Sequence, residues 1–199
     1  MSALPVAPAC ERNRGPILDC IAPWFATATR VLEVGSGTGQ HAAWFAPRLP
    51  HLAWVATDLV DNHAGIRAWI EASGAPNLHG PLLLDTTMEP WPELGAIDAA
   101  FSANTAHIMP EVAVVAMFEG LGALLPAAAP FCLYGPFMEH GRHTSASNAE
   151  FDAGLRARGQ GMGVRDLAWL TQVAALAGFS LATVEPMPAN NRVLVWRRN

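Results

Sequence analysis

Residues 31 to 46, VLEVGSGTGQHAAWFA, narrow the possible folds of this chain more than any other stretch. An apolar run breaks into glycines at alternate positions, Gly35, Gly37 and Gly39, and then resumes with a helical pattern. Glycine lets a backbone turn tightly and approach a ligand where a Cβ would clash. The helix that follows begins with free N–H groups. A strand, a bare turn and a helix in that order open a parallel α/β sheet, whose ligands bind beyond the carboxyl ends of the strands.

The alternation continues along the chain. RVLEVG (30–35), LAWVATDL (52–59), PLLLDT (81–86), GAIDAAFSAN (95–104) and PFCLYGPF (130–137) read as strands. Helical patterns fall between them at 41–49, 63–74 and 111–125, and again at 164–178. FSLATVEPM (179–187) and NRVLVWRR (191–198) read as two strands across a short turn, so the sheet ends in an antiparallel hairpin. The expected architecture is α/β and three-layered: a Rossmann-like, mostly parallel sheet of seven strands between helices. A length of 199 residues fits one domain over 1–199. Trp24, Trp44, Trp54 and Trp69 fall on helix or strand patterns and are expected in the core.

Composition removes several functions. Hydrophobic residues make up 51% and charged residues 15%, a globular balance, and no apolar run is long enough to span a membrane. The first residues lack the basic-then-apolar pattern of a signal peptide. Cys10, Cys20 and Cys132 are odd in number and show no zinc spacing, so reduced thiols and a cytoplasmic location are expected. All 12 basic residues are arginine. Without lysine there is neither a Walker phosphate loop nor a pyridoxal phosphate Schiff base. A net charge of −5 with no basic patch argues against a nucleic-acid partner.

The acids choose the ligand. The dinucleotide pattern is Gly-x-Gly-x-x-Gly, but here the third glycine comes one residue early and Gln40 follows it. Glu33, two residues before the first glycine, would repel a pyrophosphate and suits a cationic amino acid moiety. Asp58, closing the second strand, can accept from both hydroxyls of a ribose. Asp85, closing the third, can accept from an adenine amine. A ribose, an adenine and a cationic tail together describe S-adenosylmethionine. A nicotinamide-dependent oxidoreductase and a binding scaffold without turnover are the competing readings.

With these residues in place, VLEVGSGTG, Asp58 and Asp85 resemble the first three motifs of the class I S-adenosylmethionine-dependent methyltransferases. More narrowly, PACERNRGPIL, YGPF, GRHTSASNAEFDAGLRAR, GVRDL and MPANNRVLVWRR resemble bacterial relatives of the methyltransferase-like protein 26 family. The resemblance implies the methyltransferase fold and an S-adenosylmethionine cofactor but no known substrate; the expected partner is a small-molecule methyl acceptor, with its identity and the oligomeric state left open. It implies cofactor contacts from Arg12, Asn13, Glu33 and the turn Gly35, Ser36, Gly37 and Gly39. His41, Asp58, Leu59, Asp85, Thr86, Ser102 and Asn104 complete that expected set. One departure from the family pattern is Met162, in GQGMGVRD (159–166), where an aromatic is usual.

Outside the turn, CERNRG (10–15) offers Asn13 as a helix N-cap before Pro16, or Arg12 as a contact to the cofactor carboxylate. FSANTAHIMP (101–110) lacks the Asn/Asp-Pro-Pro-aromatic of base methyltransferases and leaves Asn104 and His107 as polar candidates. Residues 138–166 are expected to close over the substrate, with Arg142, Asn148 and Arg165 joining Asn104 and His107 as substrate contacts. His107, His140 and Tyr134 are the expected catalytic groups, a histidine serving as base. His140 and His143 are three apart, but no further ligand completes a metal set, so none is expected. Within the segment, Ser147 is expected as N-cap of a short helix with Glu150 at the capping-box position, docked by Phe151 and Leu155. Asn190 and Asn191 suit a tight turn with positive φ.

Overall fold

A computed structural model describes residues 4–199. Its main sheet has seven strands in the order β3-β2-β1-β4-β5-β10-β9. These strands are β1 (Arg30–Val34), β2 (Ala53–Asp58), β3 (Leu78–Leu83), β4 (Ala99–Ala103), β5 (Pro130–Gly135), β9 (Phe179–Met187) and β10 (Asn191–Arg198). β1 pairs in parallel with β2 and β4, and β2 pairs in parallel with β3. β10 runs antiparallel to both β5 and β9. The helices are α1 (Pro8–Ile21), α2 (Gln40–Phe45), α3 (His63–Ser73), α4 (Glu111–Leu124), α5 (Ala146–Ala157) and α6 (Leu167–Leu176). This is the mostly parallel, hairpin-terminated α/β sheet expected from the sequence. Contacts group the chain into two compact units, the first ending at Ser102 and the second running from Ala103 to Asn199.

In the first unit β1 and β2 are mostly apolar because both faces are covered, whereas β3, at the sheet edge, is largely exposed. β1 and β2 are buried from their second residue onward. Phe45, Trp54 and Phe101 meet with ring centroids 5.4 to 5.7 Å apart, and Phe25 lies edge-on to Trp54 at 6.4 Å. In the second unit Phe118 packs on Phe131, Phe179 and Trp196. Of the four tryptophans expected in the core, only Trp54 is fully buried; Trp24, Trp44 and Trp69 are half-buried. Trp44 lies under two guanidinium groups, those of Arg14 and Arg48 at 3.8 and 3.2 Å, which an interfacial ring can accept and a core ring cannot.

Several local expectations are corrected. α1 starts at Pro8 after Ala7, which caps nothing with its side chain, so Asn13 is a buried mid-helix residue rather than an N-cap. Proline at the first helical position needs no N–H partner, which explains a start without a polar cap. The third strand ends at Leu83, and Asp85 lies two residues beyond it. α5 is capped by Ser145, whose hydroxyl accepts from the Asn148 amide; Ser147 is already inside the helix. In the last hairpin the positive φ values belong to Ala189 and Asn190, while Asn191 has already entered β10. Leu155 docks α5 as expected, but Phe151 stays 41% exposed. A second sheet, β7-β6-β8, has strands too short for any periodicity to reveal: β6 (Phe137–Glu139), β7 (Arg142–His143) and β8 (Arg165–Asp166).

Both edge strands of the main sheet carry a proline, Pro81 in β3 and Pro186 in β9. Leu82 and Leu83 of β3 are exposed.

Candidate functional site

The first unit builds the glycine turn. Gly35 and Ser36 both donate their amides to the Thr57 carbonyl, at 3.1 and 2.9 Å, which ties the turn to the end of β2. Gly35, Gly37 and Gly39 all have positive φ, a conformation glycine adopts without steric cost. Their roles differ. A Cβ on Gly37 would meet nothing within 4 Å, so that position is open. A Cβ on Gly39 would lie 2.9 Å from the Ile66 Cα and 3.3 Å from the Trp69 Cβ, so this glycine lets α2 approach α3.

Asp58 lies at the centre of the turn. Its carboxylate accepts from the Gly37 amide at 2.6 Å, the Leu59 amide at 2.7 Å and the Asn62 side chain at 2.8 Å. Asn62 was not singled out from the sequence; its place four residues after Asp58, where α3 begins, is the signal that could have found it. Leu59, next along, is 49% exposed. Asp85 is exposed, and its Oδ1 accepts from the Thr87 amide and hydroxyl at 2.9 and 2.7 Å, the local turn such a residue favours. Thr86 beside it is buried, and its carbonyl accepts from the Trp91 indole at 3.1 Å.

Glu33 is only 1% exposed. Its Oε2 accepts from the Ser36 hydroxyl at 2.9 Å and the Trp54 indole at 3.0 Å. Burial pushes this carboxyl up to about 7, against the pull of those two donors. The carboxylate therefore braces the turn from beneath. The Trp54 partner was missed in the sequence because its indole looked like core alone. Asn13 Oδ1 meets His41 Nε2 at 2.8 Å, and burial, aided by Arg14, lowers that imidazole to about 4. Gln40 links the same helix pair by donating to Glu11 at 2.9 Å. Arg12 is exposed, with no partner among the described residues. Ser102 is fully buried and donates its hydroxyl to the Val34 carbonyl at 2.8 Å, inside the sheet.

The second unit holds the remaining candidates. Asn104, just past β4, has φ +58 and donates its amide to the Tyr134 carbonyl at 2.9 Å; its half-buried side chain has no partner among the described residues. Tyr134 is buried in β5. His107 is 6% exposed, edge-on to Phe151 at 5.2 Å, and burial followed by the Arg165 charge lowers it to about 4. A neutral imidazole results. Arg165, offered by the sequence as an anion holder, is built into the fold instead. Its Nε donates to the Ala106 carbonyl, its Nη2 to the carbonyls of Met109 and Gly161, and its Nη1 to Glu111 at 3.3 Å. Asn148 is likewise engaged, donating to the Thr144 hydroxyl and the Asn190 carbonyl. His140 and Arg142 are exposed on the β6–β7 hairpin. Asp152, which the sequence did not single out, joins His143 at 3.4 Å, Arg156 at 2.8 Å and the Val164 amide at 2.7 Å.

These buried groups set an acid response. His41 and His107 fall from 6.5 to about 4 on folding, so the stability they confer is present above pH 6.5 and lost as pH falls toward 4. Glu33 rises from 4.5 to about 7, so it contributes the opposite trend, stability lost as pH rises toward 7. Two histidines outweigh one carboxyl, and the chain is expected to melt at a lower temperature at pH 5 than at pH 7.5. Glu33→Gln keeps an acceptor for Trp54 and removes the opposing group, so it steepens that acid loss. Equal or shallower acid sensitivity in the variant contradicts the assignment.

Comparison with known proteins gives this geometry a family. A family model described as a protein of unknown function, DUF938, matches residues 4–198. The chain belongs to the DUF938 family. As a DUF938 member it is similar in structure to an O-methyltransferase family protein from Burkholderia thailandensis, with a TM-score of 0.83 and 19% identity over 96% of this chain and 57% of that one. The mitomycin 7-O-methyltransferase MmcR gives 0.83 and 15% over 96% and 54%. NcsB1, an O-methyltransferase from neocarzinostatin biosynthesis in complex with S-adenosylmethionine and 2-hydroxy-5-methyl naphthoic acid, gives 0.77 and 16% over 96% and 55%. The DUF938 chain therefore has the class I methyltransferase fold. It spans little more than half the length of these solved structures. Among the described residues, no helix is long and apolar enough to cross a membrane.

Proposed function

We propose that this chain is an S-adenosylmethionine-dependent methyltransferase acting in the cytoplasm on a small-molecule acceptor, working as one domain over 1–199, with neither nucleic acid nor membrane as partner. The observation that carries the reading is the Asp58–Gly37 bond: an acid at the end of β2 reaching back to an open, positive-φ glycine. A carboxylate offers about four acceptor positions, and Asp58 has three N–H donors. A ribose hydroxyl can take the remaining position or displace one of them. Exposed Leu59 gives a neighbouring purine an apolar face, and Asp85 Oδ2, without a partner among the described residues, can accept from an exocyclic amine. Glu33 acts on the turn through Ser36 rather than by touching the ligand.

The cofactor supplies a methyl group already activated by sulfonium, so the chain needs to align and desolvate rather than to activate. The acceptor roles go to second-unit residues on the chemistry of their side chains. His107, neutral in this environment, can take a proton from a hydroxyl or ammonium acceptor. Asn104, held in a left-handed conformation that costs a non-glycine residue, presents a side-chain carboxamide with no partner among the described residues. Arg165 positions the segment around His107. The naphthoic acid in complex with the similar O-methyltransferase NcsB1 supports a small organic acceptor.

Calorimetric titration tests the reading. S-adenosylhomocysteine is expected to bind with a saturable heat, and NAD is not. Binding of NAD in its place overturns the cofactor. Transfer of a labelled methyl group from S-adenosylmethionine into a small-molecule extract is then the expected product. Cofactor binding without any labelled product in such extracts favours a scaffold instead.

A further inference from the structure

The β6–β7 hairpin of the second unit carries a group of side chains to which the proposed function gives no role, although the sequence offered His140 as a catalytic group and Arg142 as a substrate contact. Glu139, His140, Arg142, His143 and Thr144 line an open cavity of about 410 Å³. The hairpin turn is His140–Gly141, with φ of 54° and 72°. Positive φ at both central residues makes this the two-residue turn that Asn-Gly or Gly-Gly forms most easily. Histidine there bears a cost that asparagine or glycine avoids, and such an outlier points to a use for its ring. The turn is held in place by the Gly141 amide, which donates to Asp166 at 2.6 Å.

The donors around the cavity are available. The Arg142 side chain is exposed and makes no hydrogen bond or ion pair among the described residues. The Thr144 hydroxyl oxygen accepts from Asn148 at 3.0 Å, so its own proton is free to donate elsewhere. His143 meets Asp152 through Nε2, and its buried Nδ1 has no partner. Glu139 is the one carboxylate in the lining, and Arg192 pairs with it at 3.3 Å. A guanidinium, a hydroxyl and two imidazoles around one opening, with the single acid already paired, form a set of donors matched to an anion. Cross-strand register places Arg142 directly opposite Glu139, so the guanidinium is carried on a paired strand rather than a loose loop.

We propose that this cavity is a binding site for the oxyanion group of a small molecule, a carboxylate, sulfate or phosphate, with Arg142 and Thr144 as principal donors and His140 as a third. The site lies within the second unit and does not depend on the cofactor reading, so it is expected to bind whether or not S-adenosylhomocysteine does.

Nitrogen-15 correlation spectra of the full chain, titrated at constant ionic strength with inorganic phosphate and separately with acetate, test it. Saturable shifts confined to the amides of residues 139–144 and the Arg142 side chain are expected, with the tighter anion identifying the preferred geometry. Arg142→Gln is expected to weaken the apparent affinity roughly fivefold or more, the loss of one charge-assisted bond. Thr144→Val weakens it less, and Glu139→Gln tightens it by removing a like charge. Shifts that fail to saturate, that map elsewhere, or that are unchanged in Arg142→Gln overturn the proposal. The same outcomes apply if a variant loses the native spectrum, because Glu139→Gln must then still tighten binding on its own.

Discussion

Gly39→Ala is expected to destabilise the chain by about 3 kcal/mol or more, while Gly37→Ala, two residues away, costs about 1 kcal/mol. Both positions have positive φ, so both alanines carry conformational strain. Only at Gly39 does the new methyl also strike backbone, 2.9 Å from the Ile66 Cα, where no rotamer change can relieve it. α2 and α3 must then separate, and overpacking of that kind adds its own cost of about 1–3 kcal/mol. Chemical denaturation of the two variants reads the difference directly. The ranking should reverse for ligand: Gly37→Ala remains folded yet projects a methyl into the open side of the turn, so it is the variant expected to lose S-adenosylhomocysteine. Equal stability losses for the two would show that the α2–α3 approach is not what Gly39 serves.

The second large effect is at Asp58. Asp58→Ala removes the acceptor for three N–H donors and, on the proposed function, for the ribose hydroxyls. Hydrogen bonds to a charged acceptor contribute roughly 1.5–3 kcal/mol each. S-adenosylhomocysteine affinity is expected to fall at least about tenfold, and the fold itself to weaken by about 2 kcal/mol as the Gly37 amide and Asn62 lose their partner. Asn62→Ala separates the two consequences, because it disturbs the carboxylate's support while leaving the carboxylate in place: it should lower affinity less than Asp58→Ala. A folded Asp58→Ala variant with unchanged affinity removes Asp58 from the cofactor set.

The sequence carried the sheet further than it carried the site. Strand ends at Val34 and Asp58 and the helix stop at Gly74 were legible because each is marked by a residue type with one physical reason to be there. The start of α1 was not, because Ala7 and Pro8 provide a beginning without a capping side chain, and Asn13 supplied a false one. Ser145 and Ser147 are equally good caps in isolation; only the fold decides between them. The β6, β7 and β8 strands are two or three residues long, below the length at which alternation can register. For the site, charge and position pointed to Glu33, Asp58 and Arg165 together, but burial gives them different work. Asp58 ties the turn together through the Gly37 amide, Glu33 braces it through Ser36, and Arg165 is engaged by carbonyls. Side-chain partners drawn from 20 to 60 residues away, such as Trp54 for Glu33 or Ala106 for Arg165, leave no trace in local spacing.

The prolines of β3 and β9 bear on how this protein behaves at high concentration. A sheet that is open at both ends presents two rows of backbone donors and acceptors to any passing strand, and the β3 row is flanked by the exposed side chains of Leu82 and Leu83. Such an edge is a template for chain-to-chain pairing and aggregation. Pro81 and Pro186 each remove one N–H from those rows, so an incoming strand cannot continue its ladder past either point. Both ends of the sheet are therefore guarded against growth by the same device, and the sticky leucines of β3 sit immediately beside one of the two guards.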